Sequence, residues 1–151
     1  MSKHEAPFLP VVRELARTFQ AFEHFSARHV RQMGLTPPQF DVIATLGNTP
    51  GMSCKQLSEK TLITKGTLTG VIDRLEEKGL VTRTPLPQDR RSIFIALTAA
   101  GEALFQQVFP AHLAYMQAAF DGFDQTQLDA FCTALTNLRS AFRSPTSPPD
   151  A

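Results

Sequence analysis

Between Ser53 and Thr98 the spacing of apolar residues switches from helical to alternating, and caps and a stiff charged loop mark each change. Ser53-Cys54-Lys55-Gln56 has the form of a capping box. It predicts a short helix from Ser53 to about Lys60, with Leu57 facing inward and Lys55 and Glu59 paired on the outer face. Thr61-Leu62-Ile63 makes a turn, and Thr64 is placed to cap a second helix. That helix carries Leu68, Val71, Ile72 and Leu75 at i, i+3, i+4, i+7, and Gly79 after Lys78 ends it. Two short strands follow, Leu80-Val81-Thr82-Arg83 and Ile93-Phe94-Ile95-Ala96-Leu97. The loop between them is stiffened by Pro85 and Pro87 and carries Asp89, Arg90 and Arg91 at its tip, where Asp89 is placed to hold a guanidinium. The order predicts a helix-turn-helix followed by a two-stranded ribbon.

The outer face of the second helix opens with Thr64, Lys65, Gly66, Thr67, Thr69 and Gly70. Short side chains, hydroxyls, an ammonium and a positive helix terminus are what a helix needs to approach a duplex closely. Lys55 on the preceding helix adds a cation for a phosphate. An arginine on a projecting hairpin suits a narrow minor groove, where the negative potential is enhanced. Each feature alone also fits a solvated helix face or an ordinary charged hairpin tip. Their succession favours double-stranded DNA. Charge is distributed in the same sense. Between Ser53 and Ser92, eight cations face five anions, whereas from Ile93 onward two cations face five anions.

Two stretches resemble the winged helix-turn-helix of the MarR family of bacterial transcription regulators. They are Ile72-Asp73-Arg74-Leu75-Glu76-Glu77-Lys78-Gly79-Leu80-Val81 and Asp89-Arg90-Arg91-Ser92-Ile93-Phe94-Ile95-Ala96-Leu97-Thr98-Ala99-Ala100-Gly101. The second is similar to the family's wing signature, an Asp-x-Arg followed by a strand and Leu-Thr-x-x-Gly. The resemblance implies that Arg91 enters the minor groove and that Asp89 pairs with Arg74 of the recognition helix. It places DNA contacts at Thr64, Lys65, Thr67 and Thr69, with Gly66 and Gly70 as departures from the pattern. It further implies a mainly α fold with a small β-ribbon, in one domain spanning 1–151. In that reading, 36–98 is a winged helix-turn-helix lobe, 8–34 and 99–142 are dimerisation helices, and 1–7 and 144–151 are mobile ends. The function implied is a sequence-specific DNA-binding regulator, a ligand-responsive repressor that binds a pseudo-palindromic operator as a homodimer.

The flanking segments read as helices. Val12, Leu15, Phe19 and Phe22 mark one face of a long first helix ending at Gly34. Thr36-Pro37-Pro38-Gln39 is a second capping box, opening a helix with Phe40, Val42, Ile43 and Leu46. Thr98 is placed to cap a helix that Pro110 should bend. Asp124-Gln125-Thr126-Gln127 opens a last helix with a Leu128, Phe131, Leu135, Leu138, Phe142 stripe. Phenylalanine is too abundant there for lone surface helices; one account is a homodimer in which the first, fifth and sixth helices of each subunit intertwine, and the alternative is that a single chain buries most of that surface.

Phe22, Phe25, Arg28, His29 and Phe40 could line a pocket for a small aromatic or phenolic effector, the arginine pairing with a carboxylate; plain core packing is the competing account. Cys54, near a helix start and beside Lys55, is the one thiol set for a redox-responsive alternative. Two unaccompanied cysteines, and histidines without an i, i+4 pair, predict no metal and no cofactor. His112 stands alone in the sequence. The chain has no apolar run near membrane-spanning length and no signal-peptide pattern at its start, which predicts a cytoplasmic protein without a membrane partner. No nucleophile–base pair or phosphate-cradling glycine loop suggests an enzyme. The remaining competitor is a winged-helix protein-interaction module.

Overall fold

The computed structural model describes residues 2, 4, 6–86 and 88–143, and the backbone only of Arg90. The expected mobile tail at 144–151 lies outside the described residues, as do Met1, Lys3, Glu5 and Pro87. The chain divides into two compact units, Met1–Tyr115 and Met116–Ala151.

The first unit begins with α1 (Leu9–Gln32) and α2 (Pro37–Leu46). Thr36 caps α2 by the expected reciprocal box: Gln39 N–H donates to Thr36 Oγ1 (3.3 Å) and Thr36 N–H to Gln39 Oε1 (3.2 Å). A two-residue strand, β1 (Met52–Ser53), leads into α3 (Cys54–Lys60), and α4 (Lys65–Glu77) follows a short turn. Ser53 and Gln56 close a second box at α3. Strands β2 (Val81–Leu86) and β3 (Asp89–Leu97) form the hairpin, and α5 (Ala99–Phe120) starts behind it.

The ribbon has three strands rather than two. β3 is central, with Met52 of β1 opposite Ile95 on one side and β2 from Val81 opposite Leu97 on the other. Both outer strands are antiparallel to β3. Pro85, expected in the loop, belongs to β2 opposite Ile93. It is tolerated because β2 is an edge strand and one side of it needs no ladder donor.

The core joins these elements. Leu68, Val71, Ile72 and Leu75 of α4 pack with Val42, Ile43 and Leu46 of α2, Leu57 of α3, Val81 and Ile95 of the sheet, and Phe105 and Val108 of α5. Burying each large side chain of α4 contributes roughly 1.5–3 kcal/mol, whereas Gly66 and Gly70 each cost at most about 1 kcal/mol of helix propensity. Packing therefore decides that α4 forms.

The junction behind the hairpin is tight. Gly79, with φ 73°, ends α4 in the left-handed conformation expected of a helix-stop glycine. Thr98 donates its hydroxyl to the Gly79 carbonyl (2.6 Å) and its N–H to the Leu80 carbonyl (3.0 Å), while its Oγ1 accepts from Gly101 N–H (3.1 Å). A Cβ at Gly101 would lie 2.1 Å from the Leu80 carbonyl oxygen. This gives the terminal glycine of the Leu-Thr-x-x-Gly motif its physical reason: α5 can start against β2 only if residue 101 has no side chain.

The second unit contains the end of α5 and α6 (Gln125–Arg143). Asp124 and Gln127 form the expected box: Gln127 N–H donates to Asp124 Oδ1 and Asp124 N–H to Gln127 Oε1. Phe123 meets Phe131 edge to face at 5.0 Å. No residue of α6 is buried, and Phe131, Leu135 and Phe142 of the predicted stripe are exposed. The helix α5 continues through Pro110. No helix among the described residues is long and apolar enough to cross a membrane.

The Gly101–Leu80 approach predicts that Gly101→Ala destabilises the fold by about 1–3 kcal/mol, the range for overpacking a filled site, as read from urea unfolding midpoints.

Candidate nucleic-acid interface

With its apolar stripe sealed in the core, α4 turns Thr64, Lys65, Gly66, Thr67, Thr69, Gly70 and Arg74 to solvent. Nothing stands within 4 Å of a Cβ built on Gly66 or Gly70, so this face is open to a close approach. Thr64 occupies the N-cap position, but its side chain does not cap the helix. Its hydroxyl donates instead to Thr67 Oγ1 (3.1 Å). The first turn of α4 is thus left without a side-chain acceptor, in the electrostatic setting where a phosphate oxygen is welcome. Lys55 is exposed on α3 and makes no ion pair with Glu59 among the described residues, contrary to expectation.

The turn before α4 is held from α2. Asp41 Oδ2 accepts from Leu62 N–H at 2.9 Å. Burial raises the Asp41 pKa above its ordinary value, and the Leu62 hydrogen bond pulls it partly back. Leu62 itself is 80% exposed beside the start of the recognition helix.

At the wing tip, Asp89 organises its own loop. Its Oδ1 accepts from Arg91 N–H (3.0 Å) and its Oδ2 from the Ser92 hydroxyl (3.1 Å). The expected pairing of Asp89 with Arg74 is not found among the described residues; both carboxylate oxygens turn to the loop instead. Among the described side chains, no guanidinium pairs with Asp89. Arg91 is exposed and has no ion pair among the described residues, so its charge is available to a ligand. The side chain of Arg90 lies outside the described residues. The link between wing and recognition helix that the sequence did not disclose is Arg83 of β2, which bonds Asp73 and Glu76 of α4.

A profile of the MarR family matches residues 35–93, the segment from the start of α2 into β3. The uncharacterized HTH-type transcriptional regulator YsmB of Bacillus subtilis is 32% identical over 110 residues, which cover 73% of this chain and 75% of that protein. The chain belongs to the MarR family. It is a DNA-binding transcriptional regulator. Among solved structures, Bordetella bronchiseptica BpsR, whose DNA binding is regulated by 6-hydroxynicotinic acid, superposes with TM-score 0.76 at 27% identity, covering 85% of this chain and 92% of that one. A Streptomyces coelicolor MarR family regulator in complex with DNA shares the fold at TM-score 0.82 and 22% identity, covering 91% of this chain and 88% of that one.

This MarR family chain also has a cleft of about 710 Å³ in its first unit, lined by Arg17, Gln20, Ala21, His24, Phe25 and Arg28 of α1 and Tyr115 of α5. Of the residues expected to line a pocket, Phe25 and Arg28 do so. Phe22, His29 and Phe40 do not: Phe22 is exposed, and the other two belong to an adjoining aromatic stack. In that stack Tyr115 lies between Phe25 (4.5 Å) and His29 (4.4 Å), and His112 contacts both His29 (5.2 Å) and Phe40 (4.5 Å). Tyr115 donates its hydroxyl to the Phe25 carbonyl (2.9 Å). His112 does not stand alone: its Nδ1 shares a proton with His29 Nδ1 (3.0 Å), and its Nε2 bonds Ser26 Oγ (3.2 Å). Sequence spacing could not show this, since His29 and His112 lie on different helices. No cluster of three metal-ligating side chains exists among the described residues. Cys54 is half-buried at the start of α3, and Cys132 is exposed on α6.

Burial, and then the neighbouring His29, lower the His112 pKa below 6.5. The unfolded chain therefore takes up that proton more readily than the folded one. The stability His112 contributes is complete above its unfolded value and is lost as pH falls through 6.5 toward the lowered value. Unfolding free energies measured from pH 7.5 to 5 should fall less steeply in His112→Gln than in the wild type. For Asp41 the sign is opposite. Its raised value means that ionisation costs the folded state above that value, and the cost fades as pH drops toward 3.8. Asp41→Asn keeps an acceptor for Leu62, so it should be at least as stable as the wild type at pH 7. Its advantage should shrink in urea titrations near pH 4.

Proposed function

We propose that this regulator binds a pseudo-palindromic duplex as a homodimer and represses transcription, and that a small anionic aromatic molecule in the α1–α5 cleft loosens its hold on DNA. The observation that carries the DNA-contact part is the pairing of an open, uncapped α4 start with an exposed Arg91 on the wing of the same lobe. Lys65, Thr64, Thr67 and Thr69 serve the major groove, Arg91 the minor groove, and Lys55 and Arg74 the flanking phosphates. Arg90, next to Arg91 in the chain, adds a second wing cation.

Unsatisfied apolar surface supports the dimer. Phe8, Val11, Val12, Phe19 and Phe22 of the first unit are more than 40% exposed, as are Phe120, Phe131, Leu135 and Phe142 of the second. Surface of that kind seeks a partner. A two-fold dimer would place its recognition helices about 34–36 Å apart, one duplex turn. A cytoplasmic location follows from a role on chromosomal DNA.

The cleft's chemistry supports the effector. Arg17 and Arg28 offer two guanidinium groups to a carboxylate, His24 and Gln20 offer hydrogen bonds to a ring substituent, and Phe25 and Tyr115 offer aromatic faces. The effect of 6-hydroxynicotinic acid on BpsR is a precedent for an acid of this class.

Duplexes selected from a random pool, titrated at several salt concentrations, test this reading. The wild type should bind as two chains per site. Arg91→Ala should weaken binding by about 1–3 kcal/mol and lower the log–log salt slope by about 1. A hydroxylated aromatic acid should release the wild type but not Arg28→Ala. Absence of any duplex binding at low salt would refute the proposal.

A further inference from the structure

Arg83 stands two residues beyond buried Val81 on β2 and so shares its face of the strand, toward α4. Its guanidinium spans two carboxylates of the recognition helix. Nη2 donates to Glu76 Oε1 (3.1 Å), Nε donates to Glu76 Oε2 (3.4 Å), and Nη2 also bonds Asp73. Asp73 and Glu76 are three apart on α4 and therefore share a face. The fork fixes direction as well as distance, which a lysine in its place would not do. Its members are partly exposed, with side-chain accessibilities of 26% for Arg83, 48% for Asp73 and 44% for Glu76. Pairs with that exposure contribute little to folding stability.

Position in the hairpin gives the fork leverage. Arg83 lies opposite Ile95, and Arg91 is four residues farther along β3, about 13 Å away at the rise of a strand. A hairpin leaning roughly 10° about that point would carry Arg91 by about 2 Å, enough to break a hydrogen bond.

We propose that Arg83 is a positioning residue for DNA binding: by clamping β2 to Asp73 and Glu76 of α4, it sets the wing so that Arg91 meets the duplex while the α4 start is seated. This rests on the DNA-contact reading of Arg91 given above. Arg83 touches no nucleotide. It acts through Arg91, and its single positive charge offsets part of the charge of two α4 carboxylates beside a polyanion.

A double-mutant cycle on a selected duplex tests the proposal, using wild type, Arg83→Gln, Arg91→Ala and the double variant across a salt series. Arg83→Gln should weaken binding about tenfold and lower the salt slope by about 1, as Arg91→Ala does. In the Arg83→Gln background, Arg91→Ala should add less than about twofold, because the contact is already lost. Asp73→Asn/Glu76→Gln, which leaves Arg83 in place without partners, should reproduce that loss of coupling. Thermal midpoints should stay within a few degrees of wild type, so that fraction folded does not explain the effect. Multiplying effects of Arg83→Gln and Arg91→Ala, or an unchanged salt slope in Arg83→Gln, would overturn the positioning role. If Arg91→Ala alone left binding and slope unchanged, the wing-contact reading would fail, and this proposal with it. If Arg83→Gln failed to fold, the Asp73/Glu76 variant would carry the same cycle to the same decision.

Discussion

The buried stripe of α4 is the constraint from which the rest of the first unit follows. Leu68, Val71, Ile72 and Leu75 are shared among α2, α3, the sheet and α5. Once that stripe is sealed, helix periodicity leaves Thr64, Lys65, Thr67 and Arg74 no place but solvent. The polar face is therefore presented on a packed helix, so its side chains, rather than its backbone, are what a ligand must order. The same core reaches the hairpin through Val81 and Ile95, so wing and helix are mounted on one support.

Smaller interactions refine that mounting at both ends of α4. Asp41 holds the Leu62 amide ahead of the helix, and the Gly79–Thr98–Gly101 junction fixes where β2 and α5 leave it. At the wing, Asp89 spends its carboxylate on the backbone of Arg91 and on Ser92. That choice frees the Arg91 and Arg74 side chains and moves the helix–wing link to Arg83. The aromatic stack from Phe25 through Tyr115, His29 and His112 to Phe40 joins the cleft wall to α2, the helix that carries Asp41. The stack ends at Phe40, one residue before Asp41, so cleft and turn are both attached to α2.

Much of this was legible in the residues because it is local. The boxes Thr36–Gln39, Ser53–Gln56 and Asp124–Gln127 each need only four consecutive positions, and the α4 stripe needs only the helical repeat. What escaped is what depends on partners distant in the chain. Met52–Ser53 becomes a strand only because β3 is there to pair with it, and two residues carry no periodicity. Arg83 reads as one more strand cation until α4 brings Asp73 and Glu76 beside it. His29 and His112 are 83 residues apart, and their contact is a product of α1 packing on α5. The Asp89–Arg74 pairing failed for a different reason: a short carboxylate in a tight turn is captured first by its own backbone. Phe25 and Arg28 line the cleft together with Arg17, Gln20, His24 and Tyr115, a grouping that depends on α5 meeting one face of α1.

The central claim is that the start of α4 and the tip of the wing engage one duplex together as a single rigid element. A structure of the chain bound to a selected operator measures this directly. The account predicts Lys65 and Thr67 in the major groove and Arg91 in the adjoining minor groove of the same half-site, with Arg83 still bonded to Asp73 and Glu76. A complex in which α4 seats in the groove while Arg91 points into solvent, or in which DNA lies against another face, would contradict it.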